Sequence, residues 1–264
     1  MNLANYRFPE GLRPATLEER NEFYANEFDL SRVGAWFKHY LKKPVFAMII
    51  GRHTRIYPQK YWEDASTTIL VSKYEEFCEL KKWTLEFLPE SVYYDRNSYD
   101  SKGKVQGQQL AFDVDPENIT CPIHGTLEDK MKRGQGLSFC KTEFERAKAE
   151  TVRLYGRLME RFSRIKIVYS GRGFHIHVFD KDTFHWSLKE RKRLVQELQK
   201  ESFQIDQWVT EGSVRFIRLP GSLHGMVSRI VTPLDPDELE GFDPVNENKS
   251  KPGFLNKNKI SFSS

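Results

Sequence analysis

Hydrophobic positions in this chain recur with two different periods, and the alternation between them lays out its elements. TLEERNEFYANEF (16–28) places Thr16 three residues before Glu19, a capping box that predicts a first helix. YEEFCELKKWTLEFL (74–88), with Cys78 inside it, predicts a second helix that stops before Pro89. TEFERAKAETVRLYGRLMERF (142–162) and SLKERKRLVQELQKE (187–201) carry helix-forming composition, the former with apolar residues three to four apart, and predict two more. VFAMIIGR (45–52), STTILV (66–71), LAFDVD (110–115) and VRFIRLP (214–220) read instead as strands, the last two cut off at Pro116 and Pro220 because proline donates nothing to a sheet ladder. IKIVYSGRGFHIHVF (165–179) is two strand-like runs interrupted by glycines, a hairpin. From about residue 245 the chain is polar, with Phe254, Leu255, Ile260 and Phe262 as its apolar content, and predicts a flexible tail (245–264) behind one domain at 1–244.

Composition narrows the class. A hydrophobic content of 39% over 264 residues suffices for a real core. No run approaches the roughly 18 apolar residues of a membrane span, and MNLANYRFPEGLRP lacks the basic-then-apolar order of a secretion signal, so the expected address is the cytosol with no membrane partner. Three cysteines, Cys78, Cys121 and Cys140, are an odd and sparse set for a disulfide framework and point to reduced thiols or a metal site. The net charge of +4 names no partner by itself. Lysine and arginine gather in 181–200 and in the tail, while acids gather in FDVDP and PLDPDELEGFDP, a pattern that suits either a basic surface around an acidic site or ordinary solvated helix faces.

Three segments carry chemistry. In a strand, residues i and i+2 face the same way about 6.5 to 7 Å apart, so Asp113 and Asp115 can share hard divalent cations such as Mg²⁺ or Mn²⁺; an isolated Asp-x-Asp is more often a pair of exposed turn residues, here ahead of Pro116. In SGRGFHIHV (170–178), alternation puts His175 and His177 on one face and Phe174, Ile176 and Val178 on the other. Ser170, Arg172, His175 and the glycine-flanked backbone then suit triphosphate oxygens, against the alternative of a glycine-rich hairpin with half-exposed histidines. FQIDQWVTEGSVRFIRLPGSLHG (203–225) adds Asp206 and, around a proline-glycine turn, Arg218, Ser222 and His224.

In this order, FDVD, SGRGFHIHV and an aspartate ahead of RFIRLPGSLHG, the segments resemble the archaeo-eukaryotic primase superfamily, and the archaeal primase small catalytic subunit in particular, over about 105–235. The resemblance implies an α+β fold: a primase-type catalytic domain at 1–244 whose mixed or antiparallel sheet carries the carboxylates, with helices on its outer faces. It matches Asp113, Asp115 and Asp206 to the family's metal-binding aspartates for two Mg²⁺ or Mn²⁺ ions. Ser170, Arg172 and His175 match its triphosphate ligands, and Arg218, Ser222 and His224 its nucleotide-site segment. GRH at 51–53 matches an N-terminal Arg-His element loosely. Two departures stand out: SGRGFH is one residue shorter than the usual Ser-Gly-x-Arg-Gly-x-His, and Met226 replaces the lysine that often follows the last histidine.

Family members often carry a zinc knuckle just after the aspartate pair, and Cys121, His124 and Cys140 fall in that region (121–143). Structural Zn²⁺ needs a fourth ligand, for which Glu143, the distant Cys78 or no residue at all remain as options. The activity implied is template-dependent nucleotide addition to a 3′-hydroxyl with pyrophosphate release, on a DNA template and primer with nucleoside triphosphates, in the cytoplasm of a prokaryote of archaeal kin. A primase large subunit, or a ligase with an end-binding protein, would be the partner according to whether the task is priming or gap-filling repair. A catalytically silent nucleic-acid-binding homologue and a metal-dependent nuclease are the readings of other classes.

Overall fold

The computed structural model describes residues 6–38, 44–64 and 66–257. Its helices are α1 (Leu17–Asn26), α2 (Leu30–Trp36), α3 (Glu79–Phe87), α4 (Leu127–Lys132), α5 (Lys141–Met159), α6 (Leu188–Lys200), α7 (Gln207–Glu211) and α8 (Phe254–Lys257). The strands are β1 (Phe46–Ile49), β2 (Thr68–Val71), β3 (Ser91–Asp95), β4 (Asn97–Tyr99), β5 (Val105–Gln108), β6 (Ala111–Val114), β7 (Ile165–Tyr169), β8 (Phe174–Val178), β9 (Phe216–Arg218), β10 (Leu223–His224), β11 (Arg229–Ile230) and β12 (Thr232–Leu234). Among the described residues every strand pairing is antiparallel. One four-stranded sheet runs β2-β1-β3-β9, a second runs β12-β7-β8-β6, and β4-β5 and β10-β11 are two-stranded ribbons. The α+β class expected from the sequence holds, and the sheet question is settled as antiparallel.

Side-chain alternation tells each sheet which face to bury. Phe112 and Val114 of β6 and Ile176 and Val178 of β8 pack with Ala147, Leu154 and Leu158 of α5 and Leu194 and Leu198 of α6. Burying an aromatic or branched side chain of this kind is worth about 1.5–3 kcal/mol each, so this layer is a main source of stability. The opposite face of the second sheet, with Ala111 and Val168, meets Tyr94 of β3 and Ile217 of β9, joining both sheets in one core with α1 and α2. Tyr94 Oη lies 3.3 Å from His177 Nδ1 across that contact. His175 and His177 are therefore 4% and 0% exposed, not half-exposed, because β8 is covered on both faces.

One expectation needs correction. Residues 74–78 are not helical; α3 starts at Glu79, and Cys78 is its exposed N-cap residue instead of lying inside it. The polar segment from 245 packs as far as it is described: Phe254 is 3% exposed in the main core, and the Gly253 N–H donates to the Glu27 carboxylate at 2.9 Å. One phenylalanine inserted between α1 and its neighbours outweighs the polar composition around it; Ile260 and Phe262 lie outside the described residues. Among the described residues no helix is long and apolar enough to cross a membrane.

Candidate active site

The face of the second sheet turned toward the first holds Asp113, directly opposite His175 in the β6-β8 register. His175 Nε2 lies 3.7 Å from Asp113 Oδ1. Asp115 sits one residue past the strand, where Pro116 leads the chain into a 3₁₀ turn, Pro116–Asn118. The third aspartate arrives from far along the sequence by a backbone bond, the Asp206 N–H donating to the Asp113 carbonyl at 2.9 Å. Asp206 is also the N-cap of α7: its Oδ1 accepts from the N–H groups of Trp208 at 2.8 Å and Val209 at 3.4 Å. All three aspartates line one cavity of about 200 Å³ between the sheets.

The β7-β8 turn closes over them. The Gly173 N–H donates to Ser170 Oγ at 3.1 Å, and Gly171 takes φ +106, which side chains rarely adopt. A Cβ on Gly173 would stand 2.3 Å from the Val114 carbonyl oxygen and 2.7 Å from Asp115 Oδ1, so only glycine lets this loop reach the carboxylates. Arg172, 4% exposed, donates from Nη2 to Asp115 Oδ2 at 2.8 Å and to Glu117 Oε2 at 3.1 Å. From the first sheet, Arg218 of β9 donates to Ser91 Oγ at 2.6 Å and lies 4.7 Å from the Tyr93 ring centroid. His224 of β10 is buried, with no hydrogen-bond partner on either ring nitrogen among the described residues.

Of the residues expected from the sequence, Ser170, Arg172, His175, Arg218 and His224 line the cavity with the three aspartates. Ser222 does not; it is fully buried and its hydroxyl donates to the Leu219 carbonyl at 2.7 Å. His53 of the GRH segment does line it, its backbone N–H held by the buried Glu90 carboxylate at 3.1 Å, while Arg52 points to Ser66 and Thr68. Glu117, Tyr93, Phe216 and Met226 also line the cavity and were not expected. Glu117 had a visible signal, a third acid at alternate spacing in DVDPE, which Pro116 disguises as the exit from a strand.

Burial, then repulsion from Asp115, Asp206 and Glu117, pushes the Asp113 carboxyl well above its ordinary range, and burial raises Glu117 as well. Burial pushes the His175 and His224 imidazoles well down, so both are neutral at pH 7. Burial works against the Arg172 guanidinium too, but Asp115 and Glu117 hold it above its ordinary value. Four carboxylates thus face two arginines, and Asp113 Oδ1 is buried without a hydrogen-bond partner. Carboxylate oxygens that a bound cation would let ionise together, one of them without a partner, fit a hard divalent ion such as Mg²⁺ or Mn²⁺.

The second cluster lies just beyond. Cys121 Sγ is 3.7 Å from His124 Nδ1 and 4.0 Å from Cys140 Sγ, and His124 Nδ1 is 3.3 Å from Glu143 Oε1. Tetrahedral bonds of about 2.0–2.3 Å place zinc ligands at about these separations, so the four donors fit the ion. The structure brings Glu143, not Cys78, to the three. Glu143 is fully buried; burial alone would raise its carboxyl, but Lys130 Nζ at 2.8 Å, the Cys140 N–H at 2.7 Å and Gln135 hold it below its ordinary range.

No family model matches the chain. It is 45% identical over 267 residues, 95% of this chain and 94% of the other, to an uncharacterized DNA primase small subunit-like protein of Archaeoglobus fulgidus. It is 28% identical over 213 residues to the DNA primase small subunit PriS of Pyrobaculum calidifontis, covering 61% of this chain and 65% of that protein. The fold resembles the polymerase domain of Mycobacterium tuberculosis ligase D, solved in complex with DNA, with a TM-score of 0.53 over 90% of this chain and 88% of that one at 15% identity. Kinship of this extent, joined to the same order of motifs around one cavity, makes the chain a member of the DNA primase small subunit-like family within the archaeo-eukaryotic primase superfamily.

Proposed function

We propose that the chain is a template-dependent nucleotidyltransferase that extends a 3′-hydroxyl on a DNA template from nucleoside triphosphates. The observation that carries this reading is the convergence of Asp113, Asp115 and Asp206 with Arg172, Arg218 and His224 in one cavity. Two Mg²⁺ or Mn²⁺ ions, held by the three aspartates, would supply activation of the attacking oxygen and charge neutralisation on the leaving phosphate. Arg172 offers its guanidinium edge to the triphosphate, and neutral His224 and Ser170 offer donors. Arg218, held by Ser91, sets the opposite wall. Attack of the 3′-hydroxyl oxygen on the α-phosphorus then breaks the bond to pyrophosphate. Zn²⁺ in the Cys121-His124-Cys140-Glu143 cluster is structural in this reading, and the setting is the cytoplasm of an archaeon.

Whether this chain primes or fills gaps, beside a primase large subunit or beside a ligase and an end-binding protein, is read out by the same experiment. Incorporation is measured on a single-stranded template with and without primer, with ribo- and deoxyribonucleotides, in Mn²⁺ and Mg²⁺, beside Asp115→Ala. The expected outcome is template-dependent release of pyrophosphate that falls at least 10³-fold in the variant while its circular dichroism is unchanged. Activity that survives Asp115→Ala sinks the assignment; cleavage of the oligonucleotide in place of extension favours a nuclease.

A further inference from the structure

We propose that Lys130 is a positioning residue for the catalytic carboxylates, tying the turn that carries Asp115 and Glu117 to the Cys121-His124-Cys140-Glu143 cluster. The inference rests on the reading that Asp113 and Asp115 hold divalent cations. Lys130 lies on α4, yet it is 3% exposed. Its ammonium donates to the Pro116 carbonyl at 2.7 Å and the Ile119 carbonyl at 2.5 Å, and meets Glu143 Oε1 at 2.8 Å. An ammonium has three donors, and these three acceptors lie close to it, with the Glu117 carbonyl a longer fourth at 3.5 Å.

The two carbonyls are the two ends of the turn that leaves Asp115. Inside it the Asn118 N–H donates back to the Asp115 carbonyl at 2.9 Å, and Asp115 and Glu117 hold Arg172 between them. At the far side, Glu143 is fixed by the Cys140 N–H at 2.7 Å, by Gln135 Nε2 at 3.1 Å and by His124 at 3.3 Å. A continuous set of polar contacts therefore runs from the cysteine-histidine cluster through Glu143 and Lys130 to the backbone of the turn that carries Asp115 and Glu117. A lysine that only anchored α4 would need one of these acceptors; one spanning both ends of the turn sets where Asp115 and Glu117 start. Loss of Lys130 frees the turn, and the carboxylates then gather around a cation at greater entropic cost.

The test uses Mn²⁺ binding followed by the free-ion electron paramagnetic resonance signal, which needs no turnover. Lys130→Met alone leaves Glu143 buried without its counter-ion and can unfold the chain, so the deciding variant is Lys130→Met with Glu143→Gln, which removes both charges and is read against Glu143→Gln alone, which disturbs the cysteine-histidine cluster but keeps Lys130. Lys130→Arg, which keeps the charge but not the three-way fit, is the second variant. The expected result is about tenfold weaker Mn²⁺ binding in the double variant and at least about threefold weaker in Lys130→Arg, with wild-type circular dichroism. In incorporation assays the Mn²⁺ requirement should rise by the same factor while the nucleotide KM stays put, a split that general destabilisation does not produce. Wild-type Mn²⁺ affinity in whichever of these variants is folded, with Asp113→Asn binding weakly, overturns the role of Lys130 and leaves the metal reading standing. Full Mn²⁺ binding by Asp113→Asn overturns the metal reading, and the inference with it.

Discussion

At the scale of single residues, the site is organised against its own stability. Asp113 is surrounded by Asp115, Asp206 and Glu117, and its carboxyl is driven well above the ordinary range first by burial and then by these neighbours. Asp113→Asn should abolish incorporation and yet raise the melting temperature of the metal-free protein by about 2–4 °C, the shift expected for roughly 1 kcal/mol in a chain of this size. Unchanged or lower melting in a chelator, by differential scanning calorimetry, would show that repulsion is not what the carboxylates store. Gly173 is the steric counterpart: Gly173→Ala must displace either the Val114 carbonyl or Asp115 itself. A loss of at least tenfold in incorporation, with stability reduced by about 1–3 kcal/mol in urea unfolding, is the expected outcome.

Elements were legible where period and end signals agreed. α6 stands within one residue of its predicted ends, α5 starts one residue before its predicted start and stops three before its predicted end, and the β7-β8 hairpin was legible from its glycines. The short elements were not: α4 and α7 have six and five residues, too few for a hydrophobic period to register. β3, SVYYD, shows aromatic residues at adjacent positions and so hides its alternation, although it is central to the first sheet and brings Tyr93 to the cavity. The motif residues other than Ser222 were legible because FDVD, SGRG and RLPGSLH are local in sequence, whereas Glu117 and His53 reach the cavity through a turn and a loop whose aim only tertiary packing decides. The Cys-His-Glu cluster belongs to this scale too, since it fastens the start of α5 to the turn before α4. Atomic emission should find one zinc per chain, lost in Cys121→Ser. Chelation should lower the melting temperature by about 5 °C or more, as removal of a ligand bound only to the folded state requires.

For the whole molecule, the decisive fact is that the two sheets share a core. Ala111 and Val168 from one pack with Tyr94 and Ile217 from the other, and the cavity is lined from both. Neither sheet can open without exposing that core, so far-ultraviolet circular dichroism and tryptophan fluorescence should report coincident thermal transitions. Two separated transitions would mean that the halves of the site melt independently.

The double employment of Asp206 reaches beyond enzymology. Its carboxylate faces the cavity while also capping α7, and its backbone stitches that helix start to Asp113. A lineage that gave up catalysis would be free to lose Asp113, which only repels its neighbours, but would keep a capping asparagine or serine at 206. Among future relatives, an uncharged residue at 113 together with a preserved cap at 206 marks a retired metal site, and loss of both marks a different way of building the helix.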